Sequence, residues 1–233
     1  MFSSRLWQLF LDSFPKILLP GLTATIPLTI ISFSLALVIA VVAALVQFAN
    51  IQGLKQIARF YIWIFRGTPL LVQLFVVFFG LSRVGIVLDP FPAAVIVFSL
   101  NEGAYCAETI RAALEAVPKG QLEAGLCAGL SYLQTIFRIV LPTAIPGILS
   151  GVILAIGRIV GETAALMYTS GTVERIAGLT KSGSTLALHM YIQASEGLYT
   201  EQAYATSVVL LALVLLINLG SSRIAKMMMK GRE

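Results

Sequence analysis

The 233-residue chain is 58% hydrophobic and 12% charged, with a mean hydropathy of +0.92, which excludes a soluble globular protein. Its formal net charge of +5 would suit a nucleic-acid partner, but the basic residues lie between and after apolar runs, so none is expected. Cys106 and Cys127 imply no disulfide framework, and the lone His189 has no partners spaced for a metal site. We expect one integral membrane domain over residues 1–233, without a metal.

The N-terminal segment, residues 1–20, alternates apolar side chains such as Trp7 with charged ones such as Arg5 and Lys16. This amphipathic pattern is too polar to cross a bilayer and predicts a segment that lies in the membrane interface. Residues 22–46 are then almost entirely apolar, which exceeds the roughly 20 residues that a crossing requires. They form the first predicted span.

The second predicted span covers residues 57–81 and is interrupted near Arg66. Thr68 and Pro69 are typical of a helix restart, with a hydroxyl cap followed by proline at the first helical position. We therefore expect a break or bend at this point.

Three further spans are predicted at residues 91–112, 143–168 and 204–225. Between the last two, residues 169–202 are polar and are expected to contain short helices or a re-entrant turn. The predicted fold is an all-α membrane bundle with five transmembrane helices.

Basic residues predict the orientation of the bundle, because cytoplasmic segments of membrane proteins are enriched in lysine and arginine. With five spans, one set of basic residues falls on a single side: Lys55, Arg59, Arg66, Arg111, Lys119, Arg138, Arg223, Lys226, Lys230 and Arg232. We expect a multi-pass protein of the plasma (inner) membrane with its N-terminus outside and its C-terminus in the cytoplasm.

The third span carries a candidate substrate path. Glu102 falls near its middle, where a charge costs at least about 2.5 kcal/mol unless it faces water or a partner. Glu102, Tyr105 and Thr109 share one helical stripe with Cys106, so they are expected to line a polar path. The alternative is a salt bridge that only locks two helices. Glu108 and Arg111, three residues apart, are expected to pair with each other.

The fourth span carries a second candidate group. Arg158 and Glu162 are four residues apart and share a helical face with Gly147 and Gly151. Either the arginine binds an anion or the two charges neutralise each other and allow packing. The spacings Gly147–Gly151 and Gly157–Gly161 favour close approach of a neighbouring helix.

An enzymatic function has little support. Lys181 and Ser182 lack the glycines that a phosphate-binding loop needs, so the chain is not expected to bind or hydrolyse ATP itself. We find no nucleophile elbow, metal-ligand cluster or paired acid and base.

The segment 115–142 has a pattern of its own between apolar runs. Pro118 is expected to open a short helix, Gly129 to close it in the left-handed conformation, and Pro142 to break the chain again. It resembles the signature loop of bacterial ABC-importer permeases, which reads Glu-Ala-Ala, three residues, Gly, nine residues, Ile-x-Leu-Pro. The matching positions are Glu123, Ala124, Gly129, Ile139, Leu141 and Pro142, with Gly125 in place of the second alanine.

This resemblance implies a coupling helix that docks into a cytoplasmic ATPase subunit, whereas a plain connector is the alternative. It further implies two ATPase subunits that carry ATP and Mg, a second permease, an extracytoplasmic substrate-binding protein and contact with membrane lipid. The Gly125 departure is expected to lower helix propensity slightly and to do little else.

Two subfamilies are represented along the chain. Residues 65–81, 101–114 and 117–125 resemble permeases for polar amino acids, whereas residues 151–172 and 184–206 resemble the phosphate-importer permease. The two patterns meet near Leu141 and Pro142.

The first resemblance implies that Glu102 meets an ammonium group, and the second that Arg158 and Thr163 meet an oxyanion. We favour polar amino acids, because that pattern covers more of the chain. A membrane scaffold or regulatory subunit, in which these charges only hold helices together, is the hypothesis from another class.

Overall fold

The computed structural model describes residues 21–48, 52–162, 165, 166, 169, 185–195 and 200–230, which form helices and no strand. The helices are α1 (Ile26–Phe48), α2 (Leu54–Gly67), α3 (Leu70–Arg83), α4 (Pro90–Glu115), α5 (Lys119–Cys127), α6 (Tyr132–Gly161), α7 (Leu186–Ser195) and α8 (Thr200–Lys230). The all-α prediction is therefore confirmed. The predictions for residues 1–20 and for Thr163 lie outside the described residues.

Helix α4 lies at the centre of the bundle and packs along α1. The α1 face towards it consists of small residues four apart, and Ser32, Ala36, Ala40 and Ala44 are fully buried. On α4, a Cβ at Gly103 would lie 3.0 Å from Ile39, so the two backbones approach closely. Packing through small residues is how membrane helices associate without a hydrophobic driving force between them.

Helices α4 and α6 meet through two glycines. A Cβ at Gly147 would lie 3.0 Å from that of Ala113, and one at Gly151 would overlap the side chain of Thr109. The predicted close packing at Gly147 and Gly151 is confirmed. Around Gly157, in contrast, the described residues place no atom outside its own helix turn within 4 Å of such a Cβ.

The second predicted span is two helices, α2 and α3, that meet at an angle of 104°. The break near Arg66 is confirmed, but Thr68 is not the cap. Its Oγ1 donates to the carbonyl of Ile64 in the preceding turn (2.8 Å), and Pro69 occupies the N-cap position.

Side-chain amides satisfy the backbone at this bend. Gln73 Nε2 donates to the carbonyls of Phe65 (2.8 Å) and Thr68 (3.0 Å). Asn101 Nδ2, on α4, donates to Phe65 O and to Gln73 Oε1, both at 3.0 Å. Carbonyls at the end of a helix have no intrahelical partner, so these bonds both satisfy and fix the break.

Helix α6 runs without a break through Pro142, contrary to the prediction. It starts at a capping box formed by Ser131 and Gln134 and contains a π turn, Ile136–Val140, just before the proline. Proline breaks an α-helix because its ring clashes with the carbonyl four residues earlier. The wider i→i+5 turn relieves that clash.

The predicted limits of the fourth span, 143–168, are therefore wrong at both ends. The helix begins eleven residues earlier, at Tyr132, and ends at Gly161, where Glu162 turns into an extended conformation (ψ 124°).

Among the described residues, three helices are long and apolar enough to cross a membrane: Thr23–Phe48, Tyr132–Gly161 and Thr200–Gly220. The bent pair α2 and α3 makes a fourth at most. The fifth predicted span is α4. Its 26 residues reach about 39 Å at 1.5 Å per residue, which is long enough to cross a bilayer, but its several charged residues keep it out of this apolar group.

Candidate functional site

An ion pair between a buried carboxylate and an exposed guanidinium joins α4 and α6. The Glu102 side chain is only 3% exposed, and its Oε1 lies 3.3 Å from Nε of Arg158. Its other oxygen, Oε2, is buried without a hydrogen-bond partner among the described residues. The Arg158 side chain remains 38% exposed, so the pair is open on the arginine side.

Tyr105 lies beside this pair, one turn further along α4. The Cζ atom of Arg158 lies 3.8 Å from the centre of its ring, and that of Arg66 lies 5.3 Å from it. Aromatic rings attract cations at such distances. Tyr105 thus brings together arginines from α2 and α6.

Charged residues continue along α4 towards its C-terminal end. Arg111 pairs with both Glu108 and Glu115, which confirms the predicted Glu108–Arg111 pair, and Arg66 approaches Glu108 at 3.8 Å. Together with the ion pair and Tyr105, these residues form a charge ladder along one side of α4. We define the ladder as Glu102, Tyr105, Glu108, Arg111 and Glu115 with Arg66 and Arg158.

Two predicted path residues also make structural contacts. Thr109 donates its hydroxyl to the Tyr105 carbonyl (3.1 Å) and packs against Gly151, so it contributes to the contact between α4 and α6. Glu162 lies beyond the end of α6 and accepts a hydrogen bond from Ala165 N (3.1 Å). Arg158 therefore pairs with Glu102 rather than with Glu162.

The sequence reasoning missed three residues near the path: Arg66, Gln73 and Asn101. Arg66 was counted only for orientation. The sequence did contain a signal for Gln73, which is the single amide in the apolar run of residues 70–79. A polar side chain that is buried in such a run needs a hydrogen-bond partner, so a role in the bend could have been predicted.

The loop after α4 has the predicted shape. Pro118 is the N-cap of α5, and Gly129 follows its end with a φ of 83°. Leu130 N donates to Gly125 O (3.2 Å) and Gly129 N to Leu126 O (3.0 Å), which is the bonding pattern of a Schellman motif.

Gly125 has a larger role than expected. It is the buried residue of α5, and a Cβ on it would overlap Thr135 at the start of α6. The absence of a side chain therefore allows α5 to fold back on α6. A hydrogen bond from Thr143 Oγ1 to Gln121 Oε1 (3.2 Å) also joins these two helices. The expectation of a mere propensity effect is wrong.

The remaining signature residues divide into two groups. Glu123, Ala124 and Gly129 are exposed on α5 and its end, whereas Ile139, Leu141 and Pro142 are half-buried within α6. Large apolar side chains are exposed around them: Leu126, Tyr132, Leu133 and Phe137. A contiguous exposed apolar surface next to charged residues is typical of a protein-binding site.

The family model for the binding-protein-dependent transport system inner membrane component matches residues 36–231, which is most of the chain. The chain belongs to this family. It is accordingly a multi-helix component of an inner-membrane transport system.

Several relatives of this inner membrane component are named as permeases for amino acids or their derivatives. It is 47% identical over 138 residues to the L-cystine transport system permease protein TcyB of Bacillus subtilis (strain 168), which is 59% of either chain. It is 35% identical over 185 residues to the octopine transport system permease protein OccM of Rhizobium radiobacter, covering 73% of this chain and 74% of that one. The component covers only 57–65% of the length of the cystine and arginine relatives from Bacillus subtilis.

Solved structures agree on the fold. The crystal structure of an amino acid ABC transporter with histidines matches 94% of this chain and 95% of its own, with a TM-score of 0.70 and 25% identity. The MetNI methionine ABC transporter in an inward-facing conformation matches 91% and 96%, with a TM-score of 0.69 and 21% identity, which supports the fold alone. The resemblance of residues 151–172 and 184–206 to a phosphate permease gains no support from these relatives and stays a prediction.

Proposed function

We propose that the chain is the membrane-spanning permease subunit of an ATP-driven importer for polar amino acids. The observation that carries this proposal is the ion pair between the buried Glu102 and the exposed Arg158. The relatives named for cystine and octopine transport support the same substrate class.

An amino acid zwitterion complements this pair. Its ammonium group would bind Glu102, whose Oε2 has no other partner among the described residues, and its carboxylate would bind the guanidinium of Arg158. Hydrogen bonds to charged groups contribute about 1.5–3 kcal/mol each, which offsets the separation of the two side chains. The substrate would thus replace one ion pair by two.

Phosphate fits the pair less well. Its oxygens would bind Arg158, but Glu102 lies within 3.3 Å of the same guanidinium and would repel them. At short range in a low-dielectric site, repulsion between like charges is large. Phosphate is accordingly the less favoured substrate, and the uptake test compares it with polar amino acids.

The loop around α5 would dock into the ATPase. Glu123 and Ala124 are exposed there beside apolar side chains such as Leu133, which suits insertion into a groove of another protein. Under this proposal, two cytoplasmic ATPase subunits hold ATP and Mg, a second permease completes the path, and an extracytoplasmic binding protein delivers the substrate. The N-terminus would lie outside and the C-terminus in the cytoplasm.

The substrate is tested by uptake into proteoliposomes that contain the whole transporter. Labelled phosphate and a panel of polar amino acids would be compared for the native chain, Glu102→Gln and Arg158→Ala. We expect amino-acid uptake to fall at least about tenfold in both variants, since each removes one charged contact. Arg223→Ala, which changes an exposed arginine on α8, is the control and should retain uptake.

Two outcomes would contradict the substrate proposal. Uptake of phosphate that depends on Arg158 would reassign the substrate. Unchanged uptake in both variants would mean that the pair only holds helices together, as in a scaffold.

Coupling is tested separately, through the exposed end of α5. Glu123→Gln and Gly129→Ala should leave membrane insertion intact but reduce uptake per ATP hydrolysed, because both alter the docking surface. Glu201→Gln, an exposed glutamate on α8, is the matched control. An unchanged ratio of uptake to hydrolysis in the α5 variants would refute the docking role.

A further inference from the structure

A cavity of about 320 Å³ opens at the end of the bundle where α4 leads into α5. We call it the basic pocket and define it by Gln47, Arg59, Trp63, Arg66, Glu108 and Arg111. Its size is within the range of pockets that hold small ligands. It lies at the opposite end of the charge ladder from Glu102.

Positive charge is in excess in the basic pocket. Arg111 pairs with Glu108 and Glu115, whereas Arg66 has one ion pair among the described residues, its 3.8 Å contact with Glu108, and lies 5.3 Å from the Tyr105 ring. Arg59 makes no ion pair with any residue that the structure describes. A ligand that enters here would be anionic, because a second carboxylate or phosphate would neutralise this excess.

Gln47 independently points to a ligand. It is only 7% exposed, near the end of α1, and it lines the basic pocket. Its Nε2 is buried without a hydrogen-bond partner among the described residues. Buried amide groups are nearly always bonded, so an acceptor in the pocket would complete this donor.

The outer face of α2 indicates that the anion is part of a lipid. The residues Leu54, Ile57, Phe60 and Trp63 follow one another at every third position and are all exposed, so they form an apolar strip that winds around α2. Trp63 belongs both to this strip and to the basic pocket. Tryptophan is enriched at membrane interfaces, and basic pockets between transmembrane helices bind anionic head groups.

We propose that the basic pocket binds the phosphate of an anionic phospholipid, with Arg59, Arg66 and Gln47 as donors. The acyl chains of this lipid lie along the apolar strip of α2. A free anion would use the donors but leave the strip without a role. The basic pocket shares Arg66, Glu108 and Arg111 with the charge ladder, but this proposal does not rest on the proposed transport function.

The test uses the fluorescence of Trp63. The sequence has two tryptophans, so Trp7→Phe leaves Trp63 as the sole one. The full-length chain is placed in phosphatidylcholine bilayers with increasing amounts of brominated phosphatidylglycerol, which quenches tryptophan on contact. Brominated phosphatidylcholine at the same mole fraction measures contact without specific binding. We expect phosphatidylglycerol to quench more strongly and at lower mole fraction.

Three variants show whether the quenching reports the basic pocket. Arg59→Gln should lower the preference for phosphatidylglycerol about fivefold, the effect of one basic residue near a membrane surface. Gln47→Leu should lower it as well. Lys55→Gln removes the same charge from α2, but Lys55 does not line the pocket, so the preference should persist. Circular dichroism and gel filtration confirm that each variant is folded.

Two results would overturn the proposal. Equal quenching by the two brominated lipids would mean that the pocket has no preference for an anionic head group. If inorganic phosphate abolished the excess quenching, while sodium chloride of equal ionic strength did not, the pocket would bind a free anion instead. Loss of uptake in the Glu102 variants would bear on neither result, which keeps the two proposals distinguishable.

Discussion

Replacing Gly125 by alanine should destabilise the protein, although it restores the alanine of the signature loop and improves helix propensity. Propensity alone would stabilise α5 by about 0.5–1 kcal/mol. However, the new Cβ would lie 3.0 Å from Ile139 Cδ1 and would overlap Thr135 Cγ2. Overpacking of this kind costs about 1–3 kcal/mol, so we expect a net loss of roughly 0.5–2 kcal/mol.

Thr135 has little freedom to relieve this overlap. It is fully buried, and its Oγ1 donates to the Ser131 carbonyl (3.1 Å), which fixes the side-chain rotamer. Thr135→Ser removes the clashing methyl group and keeps the hydroxyl. The double variant with Gly125→Ala should therefore recover most of the loss, with a favourable interaction energy of about 0.5 kcal/mol or more.

The assay is thermal unfolding of the purified protein in one detergent. A loss of this size lowers Tm by roughly 1–8 °C for a chain of this length. Gly120→Ala is the control in the same helix, because its Cβ would meet nothing within 4 Å and should raise Tm slightly. A higher Tm for Gly125→Ala, or strictly additive losses with Thr135→Ser, would refute the reasoning.

Two further predictions concern the packing of α6 and the bend between α2 and α3. Gly151→Ala should lower Tm because its Cβ would overlap Thr109. Gly157→Ala, on the same helix, is the control and should not lower Tm, because its Cβ would meet no other described residue. Equal losses in the two variants would contradict the packing argument. Gln73→Leu should cost about 1–3 kcal/mol, measured as lower Tm, because the Phe65 carbonyl loses one of its two side-chain donors and the buried Asn101 Nδ2 loses the acceptor Gln73 Oε1. The exposed Gln56→Leu on α2 is its control, and an equal change in both variants would contradict a role for Gln73 at the bend.

Features that depend on neighbours along the chain were predictable. The bend follows from Pro69, and the end of α5 follows from Gly129, because each residue acts through its own backbone conformation. The break expected at Pro142 was wrong. The π turn Ile136–Val140 upstream of the proline accommodates its ring within the helix, and helix propensities do not predict such a turn.

Features that depend on distant residues were not predictable from spacing. The partner of Arg158 was sought four residues away, at Glu162, because helical periodicity only relates residues on one helix. The actual partner, Glu102, lies on α4, 56 residues earlier in the chain. Gly125 was misjudged similarly, since its close contact with Thr135 arises only when the loop folds back.

The Glu102–Arg158 ion pair and the loop around α5 are joined by one continuous helix. α4 runs unbroken from Pro90 to Glu115, and residues 116–118 alone separate it from α5. Because α5 also packs on α6 through Gly125, the loop contacts both helices that carry the pair, Glu102 on α4 and Arg158 on α6. A partner that moves α5 would thereby change the distance between the two charges. Under the proposed function, that distance is the quantity through which docking of an ATPase would open or close the path for a zwitterion.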